Sequence, residues 1–400
     1  MSLISNKMNL IKPSPTLAVV SKTNELRKQG IDIISLGAGE PDFDTPDNIK
    51  QAAIDGINKG ATKYTNVDGT LELKQAIQAK FKRENNLSYD LNQIMAGTGG
   101  KQVIYNLFMA SLNEGDEVII PAPYWVSYPD MVLISGGTPK FIECGLESSF
   151  KLTQQKLEEA ITTKTKWVII NSPNNPTGSA YTKEELLGIA EVLRQHPQIH
   201  VLSDDIYEHI VFDNFKFYNL AEVAPDLIDR IFIINGVSKA YSMTGWRIGY
   251  GAGNKELIKA MTIIQSQSTS NPSSISQIAA TEALNGPQDF IPKHALEFKA
   301  KRDLALSILG SSKGLECYTP QGAFYLFPKC SNLFGKKTSN GNDISNSNDL
   351  ATYFLEKAHV AVVPGIGFGL EGYFRISYAT SLSLIEESCK RIVQSCEELK

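Results

Sequence analysis

The sequence predicts an α/β fold: a mostly parallel sheet with helices on both faces. Three observations predict it. From about residue 92 short apolar strands alternate with helical stretches. The strands are near-continuous apolar runs, such as Trp167-Val-Ile-Ile and Ile231-Phe-Ile-Ile, as a strand covered on both faces requires. The segments rich in chemistry-bearing side chains fall just past those strands, where ligands collect in such sheets. With 400 residues the chain is long enough for two domains and a large core.

The elements follow in order along the chain. Residues 1–30 read as an arm entering a short helix, with Pro13 and Pro15 keeping its first part extended. Ile31–Leu36 is a strand ending in Gly37-Ala-Gly-Glu-Pro-Asp-Phe. Helical patterns cover Asn48–Asn58 and Thr70–Glu84, with Asp47 and Asp68 as expected caps. Strands are expected at Ile94–Ala96, Glu117–Ile120, Lys166–Ile170, His200–Ser203 and Arg230–Asn235. Gly249–Ala252 reads as a short edge strand. Helices are expected from Gly99 to Met109 and from the cap Thr182 to about Arg194.

Pro287 and Pro292 bracket a boundary, and a helix Lys293–Leu309 opens an α+β remainder. It holds strands Gly322–Phe327, Val360–Val363 and Tyr373–Tyr378, a helix Asp349–Lys357 and a last helix from Ser383. The polar stretch Lys336–Asn348 reads as a mobile, exposed loop, and the run Gly365, Gly367, Gly369 as a flexible one. No internal repeat is visible.

Composition excludes several classes. With 39 basic and 43 acidic side chains the net charge is −4, which argues against a nucleic-acid binder. No apolar run is long enough to span a bilayer, and the N-terminus lacks a secretory pattern. Five scattered cysteines without a CxxC pair fit a reducing, cytoplasmic setting. The five histidines lack ligand spacing, so no metal is expected.

Lys239 is the most informative residue. The run Ile231-Phe-Ile-Ile-Asn-Gly-Val-Ser-Lys delivers it from an apolar strand to a small-residue turn, with Arg247 eight positions on. Such a lysine can form a Schiff base, and the arginine can hold an anionic tail. This pair suggests a pyridoxal-phosphate enzyme. Gly99-Gly100-Lys101 follows a strand and opens a helix, where free N–H groups suit a phosphate. The dinucleotide and P-loop glycine spacings are not met.

Asp204 lies just past a strand and is compatible with a helix cap or with a partner for a protonated ring nitrogen. Tyr207, three residues on, suits a ring oxygen, and Asp205 points elsewhere. Asn175 lies in a turn-forming Asn174-Asn-Pro-Thr-Gly, and Trp125 is either core or a cover for a flat ring. Arg375 within a strand is either half of a structural ion pair or a clamp for a substrate carboxylate.

Leu36-Gly-Ala-Gly-Glu-Pro-Asp-Phe, Ser172-Pro-Asn-Asn-Pro-Thr-Gly and Ser238-Lys-Ala-Tyr-Ser-Met-Thr-Gly-Trp-Arg-Ile-Gly together resemble the class I/II pyridoxal-phosphate aminotransferases. The likeness covers nearly the whole chain and is strongest to the bacterial aspartate/prephenate aminotransferase subfamily. It implies fold type I, with a mostly parallel seven-stranded sheet in a large domain and a smaller α+β domain. The implied boundaries are 1–46 for the arm and part of the small domain, 47–290 for the large domain and 291–400 for the rest of the small one.

The resemblance also implies roles. Lys239 holds pyridoxal 5'-phosphate as a Schiff base, Asp204 contacts its ring nitrogen, Tyr207 and Asn175 its ring oxygen, and Trp125 stacks on it. Arg247, Gly99, Gly100, Lys101 and Ser238 surround the phosphate, with Tyr64 reaching across from the other subunit of a homodimer. Arg375 binds the substrate α-carboxylate, assisted by Asn175, and Gly39 and Trp125 line the pocket. Lys101, Lys12 and Thr16 are the candidates for the distal carboxylate. Many relatives carry a serine three residues before the lysine, where this chain has Gly236. The implied reaction moves the amino group of L-aspartate to 2-oxoglutarate, giving oxaloacetate and L-glutamate. The alternatives are a prephenate, aromatic or other aminotransferase, or a regulatory module that binds the cofactor without turnover.

Overall fold

The computed structural model describes residues 3–400, so the first two positions of the expected arm lie outside the described residues. The first strands are β1 (Ile34–Ser35), β2 (Ile94–Gly97), β3 (Glu117–Ala122), β4 (Thr138–Glu143), β5 (Thr165–Asn171) and β6 (His200–Asp204). They are followed by β7 (Ile231–Gly236), β8 (Gly249–Ala252), β9 (Tyr325–Leu326), β10 (Val360–Ala361), β11 (Val363–Pro364) and β12 (Phe374–Ser377). The helices that frame the site are α1 (Pro15–Lys28), α2 (Asp47–Asn58), α3 (Leu71–Asn85), α4 (Gly100–Ser111) and α5 (Tyr128–Ile134).

Seven strands form one sheet in the order β2-β8-β7-β6-β5-β3-β4. β8 runs antiparallel to both its neighbours, and every other pairing is parallel. The strand expected at an edge is thus interior. Its glycines explain this. A Cβ on Gly249 would lie 2.1 Å from Gly100 N, and one on Gly251 would lie 2.4 Å from Phe232 Cζ. Without side chains β8 slides in between β2 and β7. Of the two outer strands, β2 was expected and β4 was not, because Thr-Pro-Lys-Phe-Ile-Glu is too polar to read as a buried run.

Alternation along the strands divides the core. Val168, Ile170, Val201, Ile231 and Ile233 pack on one face. Trp167, Ile169, Leu202, Phe232 and Ile234 pack on the other. Both faces are covered, as the apolar runs require. A separate cluster joins Ile34 and Leu36 to residues between Phe298 and Leu399, and it includes Tyr207 from the loop after β6. The remaining strands belong to this region: β11-β12-β9 is an antiparallel sheet and β1 pairs with β10.

Several local expectations are corrected. Asp47 lies in the first turn of α2 without capping it, and pairs with Lys50 instead. Thr70, not Asp68, caps α3, while Asp68 takes Lys74 at 2.5 Å. The helix expected from Lys293 begins at Phe290; Pro292 is accommodated because the first turn needs no N–H there. The segment Val360–Val363 is split between two sheets. The polar stretch near residue 340 is largely exposed, as expected, and is anchored at its root: Lys337 bridges Asp343 and pairs through both main-chain groups with Lys400, at 2.8 and 3.0 Å. The run from Gly365 forms a 3-10 turn closed by Gly369 at φ +79°. The Thr182 cap holds, completed by Glu185 as a capping box. No helix among the described residues is long and apolar enough to cross a membrane.

Candidate active site

The carboxyl ends of β2, β3, β5, β6 and β7 and the strand β12 converge on one space. β7 delivers Lys239 through Val237 and Ser238, and the turn closes with Ser242 N on Lys239 O. The Lys239 Nζ donates to Gly39 O at 2.5 Å. Burial, then the positive charge of Arg375, bring its amine down to about 8, so the neutral form is accessible near neutral pH. Gly236 stands where the resemblance leads one to expect a serine. A Cβ there would meet Gly249 Cα at 3.1 Å and Ile206 Cδ1 at 3.2 Å, which accounts for the glycine. Ser238, the nearby hydroxyl, is buried.

Asp204 ends β6 inside the protein. Burial lifts its carboxyl to about 6 against the pull of two donors. These are Tyr128 Oη at 2.6 Å and Ile206 N at 3.3 Å. Asp205 faces away and receives Ser203 Oγ at 2.8 Å and the Asn219 amide. Asn171, at the end of β5, donates to Asp204 O at 2.9 Å and accepts Asn175 N at 2.9 Å. One amide therefore fixes two of the expected site residues. Tyr207 is buried, and its hydroxyl meets that of Tyr325 at 2.8 Å.

Beneath this loop lies a buried ionic floor. The Lys80 ammonium of α3 pairs with Glu208 and donates to Asn85 Oδ1 at 2.8 Å. Glu208 also receives Asn85 at 2.9 Å and Asn235 at 2.6 Å. Glu84, Glu208 and His209 bring ligand-type atoms within 4.8 Å of one another, and Lys80 supplies the positive charge of that cluster.

Arg247, in left-handed backbone at φ +56°, packs on Gly99. Gly99 itself holds φ +82°, and a Cβ there would lie 2.2 Å from Arg247 Nη2. The first N–H groups of α4 open beside this guanidinium, the arrangement that receives phosphate. Lys101, in that first turn, lies 5.0 Å from the Trp125 ring centroid. Burial and Arg247 lower its pKa.

Arg375 on β12 is buried. It donates to Asn175 Oδ1 at 3.0 Å and Gly37 O at 2.7 Å, while its Nε has no acceptor. Its charge lies between the Tyr325 and Phe368 rings, 4.7 and 4.9 Å from their centroids. Among the described residues no carboxylate pairs with it, so the structural ion pair is not formed. A buried guanidinium with spare donors and no counter-charge is a seat for an anion.

A family profile, Aminotransferase class I and II, matches residues 31–392. The chain belongs to this family. The probable aspartate/prephenate aminotransferase of Rickettsia bellii is 71% identical over 399 residues, covering 100% of both chains. The solved aspartate aminotransferase of Rhizobium meliloti is 51% identical and superposes with a TM-score of 0.97 over 100% of both chains. That of Thermus thermophilus, solved with maleate, is 41% identical with a TM-score of 0.92, covering 99% of this chain and 100% of that one.

Aminotransferases of this class use pyridoxal phosphate, and the residues here fit it. A side-chain-free cradle at Gly99 faces Arg247, a depressed lysine amine ends β7, and a buried carboxylate ends β6. Of the residues expected from sequence, Lys239, Asp204, Tyr207, Asn175, Arg375, Gly39, Trp125, Lys101, Gly99, Gly100, Ser238 and Arg247 gather around this space. Tyr64 stands apart, 90% exposed between α2 and α3. Lys12 is exposed on the arm and its N–H donates to Asp130, and Thr16 is half-buried in α1. Tyr128, Asn171 and Tyr325 were missed. The sequence offered little to find them: Tyr128 is three residues beyond Trp125 and Asn171 closes an apolar strand, while the place of Tyr325 beside the strand bearing Arg375 is set by sheet pairing alone.

Proposed function

We propose that this chain moves the amino group of L-aspartate to 2-oxoglutarate in two half-reactions, giving oxaloacetate and L-glutamate. The observation that carries the reading is Arg375, a buried fork without a carboxylate, in the same enclosure as the depressed amine of Lys239. A relative solved with maleate, a four-carbon dicarboxylate, supports a substrate with two carboxylates. The name of the Rickettsia bellii relative supports prephenate as an alternative acceptor.

Pyridoxal phosphate, when bound, supplies an electrophilic carbon for the amino group and a ring that draws electron density from Cα. Arg247, Gly99, Gly100 and Ser238 hold its phosphate. Trp125 covers the ring, and Asp204, ionised above about pH 6, keeps a proton on the ring nitrogen. Tyr207 and Asn175 donate to the ring oxygen. Arg375 takes the α-carboxylate and so sets which Cα bond faces Lys239. The neutral Lys239 Nζ would take up the Cα proton of a bound amino acid and carry it as the general base of the site. Lys101, with Lys12 and Thr16 of the arm, reads the distal carboxylate.

The division at 46/47 and 290/291 is our reading of the separate apolar clusters. The exposure of Tyr64 supports a homodimer in which it completes the partner's phosphate site. Five cysteines without a disulfide support the cytoplasm.

Steady-state kinetics with aspartate, glutamate, prephenate and aromatic partners, with products identified, test the assignment. Aspartate and 2-oxoglutarate are expected to give the highest kcat/KM. A preference for an uncharged donor by an order of magnitude would overturn it.

A further inference from the structure

We propose that Tyr325 is a positioning residue for Tyr207, and that its ring ties the seat of the substrate carboxylate to the donor for the cofactor's ring oxygen. This rests on the functional reading above. Tyr325 is fully buried on β9, a strand of the small three-stranded sheet. Tyr207 lies on the loop after β6 of the large one. Their hydroxyls meet at 2.8 Å, so one hydrogen bond joins the two sheets at the site.

A phenol has one proton to donate. In the bare pair either hydroxyl can serve as donor. Once an oxygen anion lies beyond Tyr207, the favourable order is Tyr325 to Tyr207 to that anion. The first bond then directs the second and polarises it. Both phenols keep their protons, because burial raises both pKa values. The Tyr207 ring is also clamped edge-on by Tyr325 and Phe324, with centroids 5.8 and 5.5 Å away. Its hydroxyl has little freedom except rotation of the proton, which Tyr325 removes.

The same side chain reaches the other two parts of the site. β9 pairs antiparallel with β12, placing Tyr325 opposite Ser377 and diagonal to Arg375. The guanidinium lies 4.7 Å from the Tyr325 ring centroid. On its far side, the Tyr325 hydroxyl limits Gly39: a Cβ there would come within 3.1 Å of Tyr325 Oη. Gly39 O is the acceptor for Lys239 Nζ. A carboxylate drawing Arg375 forward is therefore felt, through one rigid ring, at the phenol of Tyr207.

The test uses holoenzyme and two substitutions. Tyr325→Phe removes one oxygen and keeps the ring beneath Arg375. A weaker donor leaves the ring oxygen less able to carry negative charge, so the bound cofactor holds its proton to higher pH. The pH midpoint of its visible band is expected to rise by about half a unit. kcat should fall several-fold, with KM for the amino donor unchanged. Tyr325→Leu, which also removes the ring, should raise that KM as well. In a Tyr207→Phe background, Tyr325→Phe should no longer move the midpoint. A shift that persists there, or no shift in the otherwise native protein, overturns the inference alone. A native protein that takes up no chromophore overturns the functional reading and this inference with it.

Discussion

Asn175 Oδ1 accepts a 3.0 Å hydrogen bond from Arg375 Nη1, joining residues 200 positions apart in the chain. The loop after β5 thereby aims a guanidinium carried by β12. With Gly37 O as its other acceptor and Nε free, Arg375 is oriented before any substrate arrives. Replacing it by lysine keeps a charge but loses the fork. We expect Arg375→Lys to lower kcat/KM for every α-amino acid by about two to three orders of magnitude. Asn175→Ala should cost about tenfold. Steady-state kinetics on aspartate and glutamate check both, and an Arg375→Lys enzyme with native efficiency contradicts the assignment.

Tyr128 donates to Asp204 and so opposes the effect of burial, which has already brought that carboxyl to about 6. Removing the donor destabilises the carboxylate and raises its pKa further. Tyr128→Phe should therefore move the acid limb of the kcat/KM profile upward by about half a unit to one unit. A pH–rate profile of both enzymes measures it. A coincident or downward-shifted limb excludes this role for Tyr128.

Lys239 must be neutral to attack an aldehyde, and its folded pKa is about 8 rather than 10.5. Covalent capture of pyridoxal phosphate by apoprotein should accelerate as pH rises toward 8 and level off above it. Arg375→Ala removes a neighbouring positive charge and should move that midpoint upward. Stopped-flow absorbance gives the rates; a midpoint in the ordinary lysine range counts against the depressed amine. Lys239→Ala should abolish turnover and leave nothing for borohydride to trap at that position.

Gly99→Ala asks an L-residue to hold φ +82° and places a methyl on Arg247. Cofactor affinity is expected to fall by about an order of magnitude, since the strained conformation costs 1–2 kcal/mol or so before the collision is counted. Equilibrium titration of apoprotein checks it, and native affinity would show that Gly99 and Arg247 do not hold the phosphate together.

Lys101→Ala should raise KM for aspartate far more than for alanine, because only aspartate carries the distal carboxylate. Parallel kinetics with the two donors decide it. Equal changes would mean that Lys101 acts through Trp125 and Arg247 rather than on substrate.

The central strands were legible because burial on both faces writes an uninterrupted apolar run, as in β5 and β7. β4 was not, since Lys140, Thr138 and Glu143 belong to an outer strand with wetted side chains. The interior place of β8 was hidden because it depends on what Gly249 and Gly251 lack, and clearance against Gly100 and Phe232 exists only in three dimensions. At the site, residues that end strands or carry charge, such as Lys239, Asp204 and Arg375, stood out by type. Tyr128, Asn171 and Tyr325 act through a neighbour, and tyrosine or asparagine in a core-forming stretch has no distinctive pattern until its partner is seen.

Lys80 and Glu208 form the floor beneath the loop that carries Asp204 and Tyr207. Shielded from solvent, their attraction is weakly screened, so concentrated salt that loosens surface pairs such as Lys293–Asp289 leaves this one in place. Losing Lys80 leaves Glu208 a buried carboxylate without its ammonium, at a cost of about 3–5 kcal/mol, whereas losing Glu208 still leaves Lys80 paired with Glu84 at 3.5 Å. Neutral drift through single substitutions is closed at Lys80: descendants of this sequence keep it, or replace it together with Glu208.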